Sequence, residues 1–300
     1  VDVKEGMFFR YRGIFCAIAA PMVYILMSAV VKHSPSANMP TFLFFRFFFG
    51  CFFFVPFFLK SFKKPPAKIL VLNFIRACSG ILSVLCSVYS YRNLTLLDAR
   101  LLESCLTLFI PLLLFVFYRK KVSMRVLSIL LVGFFGVALL LQPQLQLAHF
   151  ASFAALGNGC FLACTFVLSS QLSKTQDRSE ILFYYSLFGS LMSLFPFLYF
   201  YEGGYSLSLW LHLISMSLLA ALLQYLIVTA YSLMSPHIVG GLSNVDILFG
   251  AFLGWAIFAE GLNVAQILGG TLLIASCLYL IRENSKVYFL TNSVLSGQSE

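Results

Sequence analysis

Stretches of about twenty apolar residues, joined by connectors too short to fold alone, recur along nearly the whole chain, and each can cross a hydrocarbon core about 30 Å thick. Such a chain cannot bury its apolar surface in one water-exposed globule. Of its 300 residues, 60% are hydrophobic and 10% charged, with mean hydropathy +0.93, whereas ordinary domains carry about 25% charged residues. The reading is an all-α polytopic membrane protein. Ten transmembrane helices are expected, at about 12–31, 41–59, 69–90, 94–117, 124–142, 150–171, 180–200, 208–231, 237–258 and 263–282.

The net charge of +9 sits in the connectors and does not imply nucleic acid. One set of connectors holds fifteen Lys and Arg residues, and the other holds three: Lys32, Arg92 and Arg100. Basic residues stay on the cytoplasmic side, so both termini are expected in the cytoplasm. The eight cysteines all fall inside apolar spans without a Cys-x-x-Cys pair, which points to packing rather than metal or disulfide chemistry. The first apolar run is full-length and lacks a small-x-small cleavage site, so no cleavable signal is expected.

A repeat underlies the ten spans. A shift of about 140 residues lays Phe45-Arg46-Phe47-Phe48-Phe49-Gly50 onto Tyr184-Tyr185-Ser186-Leu187-Phe188-Gly189, Pro56 onto Pro196 and Tyr91 onto Tyr231. Five spans per half make the second copy enter from the opposite side, an inverted repeat of the kind found in secondary transporters. The expected organisation is a cytoplasmic N-terminus over residues 1–11, a first repeat over 12–143, a second over 150–282, and a mobile cytoplasmic tail over 283–300.

Several stretches together resemble the drug/metabolite transporter superfamily in its EamA-type branch. They are Phe44 to Phe49 around Arg46, the Arg76-Ala77 start of the third span, and Tyr91-Arg92-Asn93-Leu94 leading to a span with Pro111 in its middle. Ala230-Tyr231-Ser232-Leu233, Pro236, Ala259-Glu260-Gly261 and Gly269-Gly270 follow. The family often carries a Glu in its fourth-to-fifth connector; here that place holds Arg119-Lys120-Lys121, so Glu260 reads as a boundary residue. The Arg46 segment, Arg76, and an acid fourteen residues before the closing Glu look most like the S-adenosylmethionine uptake transporters of obligate intracellular bacteria. The resemblance implies uptake of an S-adenosylmethionine-like solute at a bacterial inner membrane, with possible exchange for S-adenosylhomocysteine.

Five ionisable groups lie within spans: Arg46, Arg76, Arg100, Glu103 and Asp246. Each would cost about 2.5–3.5 kcal/mol at the bilayer centre unless paired or hydrated. Asp246 is the sharpest, lying about 13 Å from the Pro236 end of the ninth span, taken as the outer end, and so near the midplane. It can face a cation or a proton, or form a salt bridge with Arg46 or Arg100. Arg46 can grip a carboxylate through two parallel hydrogen bonds or lock onto neighbouring Phe rings. Arg100 and Glu103, three apart, can pair locally. Arg76 can snorkel to the cytoplasmic boundary. Tyr24, Tyr89 and Tyr185 can stack on a ligand ring, while Asn158, Gln224 and Asn244 can hydrogen-bond its edge. Gly250-Ala251-Phe252-Leu253-Gly254 permits close helix approach.

No phosphate loop, metal-ligand spacing or catalytic constellation is present in the sequence, so no cofactor or enzyme activity is expected. The expected function is alternating-access transport of a small organic metabolite, with lipid and solute as partners and no obligate protein partner. An exporter of amino acids or cationic drugs on the same fold is one alternative. A non-transporting scaffold or receptor is the alternative of another class.

Overall fold

A computed structural model describes residues 3–32, 38–60, 65–94, 96–120, 122–141, 150–201, 203–249 and 263–296. Every described element in it is helical. In chain order these are α1 (Val3–Lys32), α2 (Met39–Lys60), α3 (Ala67–Asn93), α4 (Leu96–Ser104), α5 (Leu106–Tyr118) and α6 (Met124–Leu141). They are followed by α7 (Phe150–Leu172), α8 (Arg178–Tyr199), α9 (Leu207–Leu233), α10 (Pro236–Leu242) and α11 (Val264–Ser296). Eight helical stretches among the described residues are long and apolar enough to cross a membrane, and α1 adds the shorter apolar run Tyr11–Met27. The lengths follow from the solvent: hydrocarbon offers backbone polar groups no partner, and a helix is the structure that satisfies them within a single segment.

Four elements depart from the expected spans. The fourth span is two helices, not one, broken at Cys105 rather than at Pro111. At the break the Ser104 and Thr107 hydroxyls donate to the carbonyls of Leu101 and Ser104, at 2.6 and 3.1 Å, and so use acceptors that the backbone leaves open. α11 continues through Ser296 instead of ending near Arg282, because no Gly or Pro interrupts it between Thr271 and Ser296. α1 likewise starts at Val3, inside the expected N-terminal segment. The ninth span begins as α10, turns at Ser243-Asn244, and resumes as helix over 245–249. Gly250, Gly254, Glu260 and the rest of that span lie outside the described residues.

The main helix pairings are α1 with α9, α3 with α7, α2 with α8 and α6 with α11, and each joins one half of the chain to the other. A two-fold exchange of the halves turns the first pairing into the second and returns the other two to themselves. The register confirms the exchange. Gly50 on α2 faces Ser186 on α8, where a Cβ would lie 3.0 Å from the Ser hydroxyl, and Gly189 faces Phe47. A shift of 139 residues converts one contact into the other. At the second self-pairing a Cβ on Gly136 would lie 2.8 Å from the Gly269 carbonyl, while Ser276 donates to the Ile129 carbonyl at 3.0 Å. Here the interconverting shift is 140. The fold is two inverted five-helix repeats.

The connectors sort onto two faces. Arg178 donates from its Nε to Ser232 at 3.0 Å, and the start of α1 meets the end of α9, where Gly13 packs on Leu233 and Met234. On the other face Asn38 donates to the Phe200 carbonyl at 3.0 Å. The Pro236 end of the ninth span therefore shares a face with the Arg178 connector. That end is not the outer one expected, since eight crossings return the chain to the side on which it began. Asp246 remains close to mid-depth counted from either end of a ~30 Å core.

Candidate functional site

The intramembrane charges gather at two places. The first lies where α1, α4 and the ninth span meet. Arg100 on α4 pairs with Glu103 one turn further on, Nη1 to Oε2 at 3.1 Å, and with Asp246 through Nη2 and Oδ2. Its guanidinium carbon stands 5.8 Å from the centre of the Tyr24 ring on α1. Glu103 and Asp246 are buried, at 6% and 7% exposure. Of the two partners open to Asp246, Arg100 is the one it takes. Local helix geometry brings Arg100 to Glu103; the break at Cys105 and the turn at Ser243-Asn244 bring two discontinuous helices together around the pair. Such broken helices are where transporters of this architecture build solute sites.

Among the described residues the ion pairs of this cluster join two carboxylates, Glu103 and Asp246, to one guanidinium, Arg100. Asp246 Oδ1 is buried and has no hydrogen-bond partner among the described residues. An unmet buried acceptor costs about 1–3 kcal/mol, more when charged. Asn244 is buried in the turn just before Asp246. The repeat makes the asymmetry plain: a shift of 140 exchanges Arg100 with Gly240 and Asp246 with Leu106, and those two lie side by side with no charge between them, a Cβ added to Gly240 standing 3.9 Å from Leu106 Cδ1. The ion pair belongs to one side of the two-fold alone.

Arg46 on α2 is half-buried and makes no hydrogen bond or ion pair among the described residues. It lies near enough to Tyr24 to act on its hydroxyl electrostatically, as do Arg100, Glu103 and Asp246. The surrounding Phe side chains pack on each other. Phe44 stacks on Phe197 with centroids 4.5 Å apart, and Phe45 meets Trp210 edge-on at 5.2 Å.

The second place is Arg76. It does not snorkel; its exposure is 0%. Its Nε donates to Ser169 Oγ at 2.7 Å, Nη1 to the Ile181 carbonyl at 3.3 Å, and Nη2 to Gln224 Oε1 at 3.2 Å. The guanidinium carbon sits 4.2 Å above the Tyr185 ring. Arg76, Tyr185 and Gln224, separate candidates in the sequence, form one cluster in which α3 reaches α7, α8 and α9. Gly80 makes room for it, since a Cβ there would come within 2.6 Å of the Tyr185 hydroxyl. Tyr89 stands apart, exposed and edge-on to Phe150 at 5.7 Å.

Asn158 finds a partner on α3, Ser83, that the sequence did not mark out, and further polar pairs were likewise not singled out. Ser83 donates to Asn158 at 2.6 Å, Asn73 donates to Gln176 at 2.8 Å, and Gln176 donates to Glu180 at 3.3 Å. A signal was there: Asn73, Arg76, Ser79 and Ser83 recur at helical spacing and make a buried polar stripe on α3 facing α7. Ser169 carried none, being one hydroxyl among many.

The EamA-like transporter family profile matches residues 11–142 and again 149–282. The chain belongs to the EamA-like transporter family. It is 25% identical over 275 residues to the pseudopaline exporter CntI of Pseudomonas aeruginosa, covering 90% of this chain and 96% of that protein. It is 27% identical over 245 residues to an uncharacterized transporter of Archaeoglobus fulgidus, covering 80% and 86%. With the riboflavin transporter of Vibrio cholerae it shares 24% over 168 residues, 56% of each. A solved crystal structure, 12% identical, superposes with a TM-score of 0.72 over 88% of this chain and 96% of the other, a likeness of fold alone. This EamA-type chain is thus a multi-pass membrane transporter. None of these relatives is named for S-adenosylmethionine.

Proposed function

We propose that the chain carries a small zwitterionic metabolite across a bacterial cytoplasmic membrane by alternating access. In this reading the halves 12–143 and 150–282 rock about the Arg100–Glu103–Asp246 cluster, with both termini in the cytoplasm. One observation carries it: a buried, asymmetric ion-pair cluster that, among the described residues, joins two carboxylates to one guanidinium and leaves one Asp246 oxygen unmet, at mid-depth between discontinuous helices. Such a group accepts an ammonium, a sulfonium or a proton. Arg46, with no partner of its own among the described residues, is the complementary group for a carboxylate. The orientation is supported by the basic connectors, with Lys120, Lys174 and Arg178 among them.

S-adenosylmethionine is the substrate we assign, from the resemblance of the Arg46 and Asp246 segments. Its sulfonium and ammonium suit Asp246 and Glu103, its carboxylate suits Arg46, and its adenine suits an aromatic face such as Tyr24. Purified protein in liposomes should accumulate labelled S-adenosylmethionine, and unlabelled S-adenosylmethionine should compete. Transport of another solute with no such accumulation would end the substrate assignment.

The similarity to a pseudopaline exporter across 96% of that protein's length favours a second reading, export by the same site. Efflux from preloaded vesicles separates the two directions, and an exporter of amino acids should ignore adenine-containing competitors.

A further inference from the structure

Arg76 is an oddity on electrostatic grounds. A guanidinium inside a membrane protein is costly unless compensated, and the ring beneath it offsets only part of that cost. Its three hydrogen bonds go to neutral oxygens, and among the described residues no carboxylate lies within ion-pair distance. The bond on Nε is short, whereas the two on the Nη fork are long, at 3.3 and 3.2 Å. One of those acceptors is Gln224, a half-buried side chain that can rotate away. The fork is the edge that a carboxylate takes with two parallel hydrogen bonds.

The repeat says where this fork stands. The shift of 139 that relates the Gly50–Ser186 and Gly189–Phe47 contacts exchanges position 46 with position 185. Arg46 on α2 therefore has Tyr185 on α8 as its two-fold mate, and Tyr185 is the ring over which Arg76 lies. One half supplies a guanidinium from α2 directly; the other supplies it from α3, laid over the mate's aromatic face. In an inverted repeat, two-fold mates sit at equal distances on opposite sides of the midplane. Arg46 lies one turn or two from the Asn38 face. Arg76 contacts Ser169 and Ile181, both close to the Arg178 connector.

We propose that Arg46 and Arg76 are paired carboxylate stations at the two ends of the translocation path, the first serving the outer face and the second the cytoplasmic face. When one side is open, the solute's carboxylate binds that side's guanidinium. At Arg76 it displaces Gln224 from Nη2, and the buried arrangement seen here, with Gln224 and the Ile181 carbonyl on the fork, is the closed station. The inference rests on the transporter reading above and narrows its substrate class to solutes that carry a carboxylate as well as a cation.

The test uses two matched pairs of labelled solutes, S-adenosylmethionine with its decarboxylated form and arginine with agmatine, offered to right-side-out and inside-out vesicles. Wild type should prefer the carboxylate-bearing member from both faces. Arg46→Gln should raise the KM of that member about tenfold from the outer face and leave the inner face unchanged, the cost of one charge-assisted contact. Arg76→Gln should do the reverse, with the decarboxylated member unaffected in both. Arg76→Lys keeps a buried cation without the fork and stands in if the Gln variant fails to fold; it should show the same one-sided loss. Equal changes at both faces, or unchanged discrimination, would mean that Arg76 is a helix clasp and would overturn the stations. Wild-type transport of the amines without preference would overturn them while leaving the transporter reading intact. Transport of no member of either pair would remove both the stations and the zwitterion assignment.

Discussion

Asp246 decides more than any other side chain, because its two oxygens have different fates. Oδ2 is held by Arg100, and Oδ1 is held by nothing among the described residues. Asp246→Asn removes the carboxylate charge while preserving shape. It should abolish solute-induced thermal stabilisation, which scales with occupancy of the folded state, and lower transport at least tenfold. Unchanged transport with a lower melting temperature would instead mark the pair as a structural tie. Arg100→Ala should cost stability outright, about 3–5 kcal/mol, because it leaves two buried carboxylates facing each other. Lys174, in the connector after α7, makes a separate prediction. Partial burial and the neighbouring Lys120 ammonium lower it to about 8 from 10.5. Between those values the unfolded chain holds more protons than the folded one, so stability should rise as pH climbs from about 8 towards 10.5. Melting curves across that window should show a smaller rise in Lys120→Ala than in wild type.

The helices are held together at glycines whose missing Cβ brings backbones into contact. On α6 a Cβ at Gly136 would meet the Gly269 carbonyl and the Leu273 amide nitrogen of α11 at 2.8 and 2.9 Å. Neither atom is the tip of a flexible chain, so Gly136→Ala has to separate the two helices. Overpacking of this kind costs about 1–3 kcal/mol, and the melting temperature in detergent should fall accordingly. Gly157→Ala serves as the control, since its Cβ would meet Cys86 Sγ at an ordinary 3.6 Å; a similar loss in both would refute the close-contact account. The broken fourth span has its own logic. Pro111 was visible in the sequence, but the chain interrupts its hydrogen bonding at Cys105, where hydroxyls from Ser104 and Thr107 are at hand. A Pro marks a weak helix, and the neighbouring polar side chains choose the place of the break.

Across the whole molecule the inverted repeat makes the pairings of α1 with α9 and α3 with α7 two copies of one arrangement. It also fixes which connectors share a face. Single cysteines placed at Lys174 and Ser235 should react with an impermeant thiol reagent from one side of the membrane, and one at Gly204 from the other. Labelling of Lys174 and Ser235 from opposite sides would contradict the Arg178–Ser232 contact. The two-fold is not obeyed by the chemistry laid upon it, since the mates of Arg100 and Asp246 are Gly240 and Leu106.

Much of this was legible in residue order alone. Apolar runs of membrane length force helices, because hydrocarbon offers no partner for a bare backbone, and the spacing of Gly, Pro and Tyr revealed the repeat. Asp246, Arg46, Arg100 and Glu103 stood out because charge inside such runs is costly. What order could not give was company. Arg76 looked like a boundary residue until α7, α8 and α9 closed around it, and Asp246 had two possible arginines until α4 was placed beside the ninth span. Those choices depend on the rotation of each helix about its axis. That rotation is set by close packing between elements more than a hundred residues apart, which no local pattern encodes.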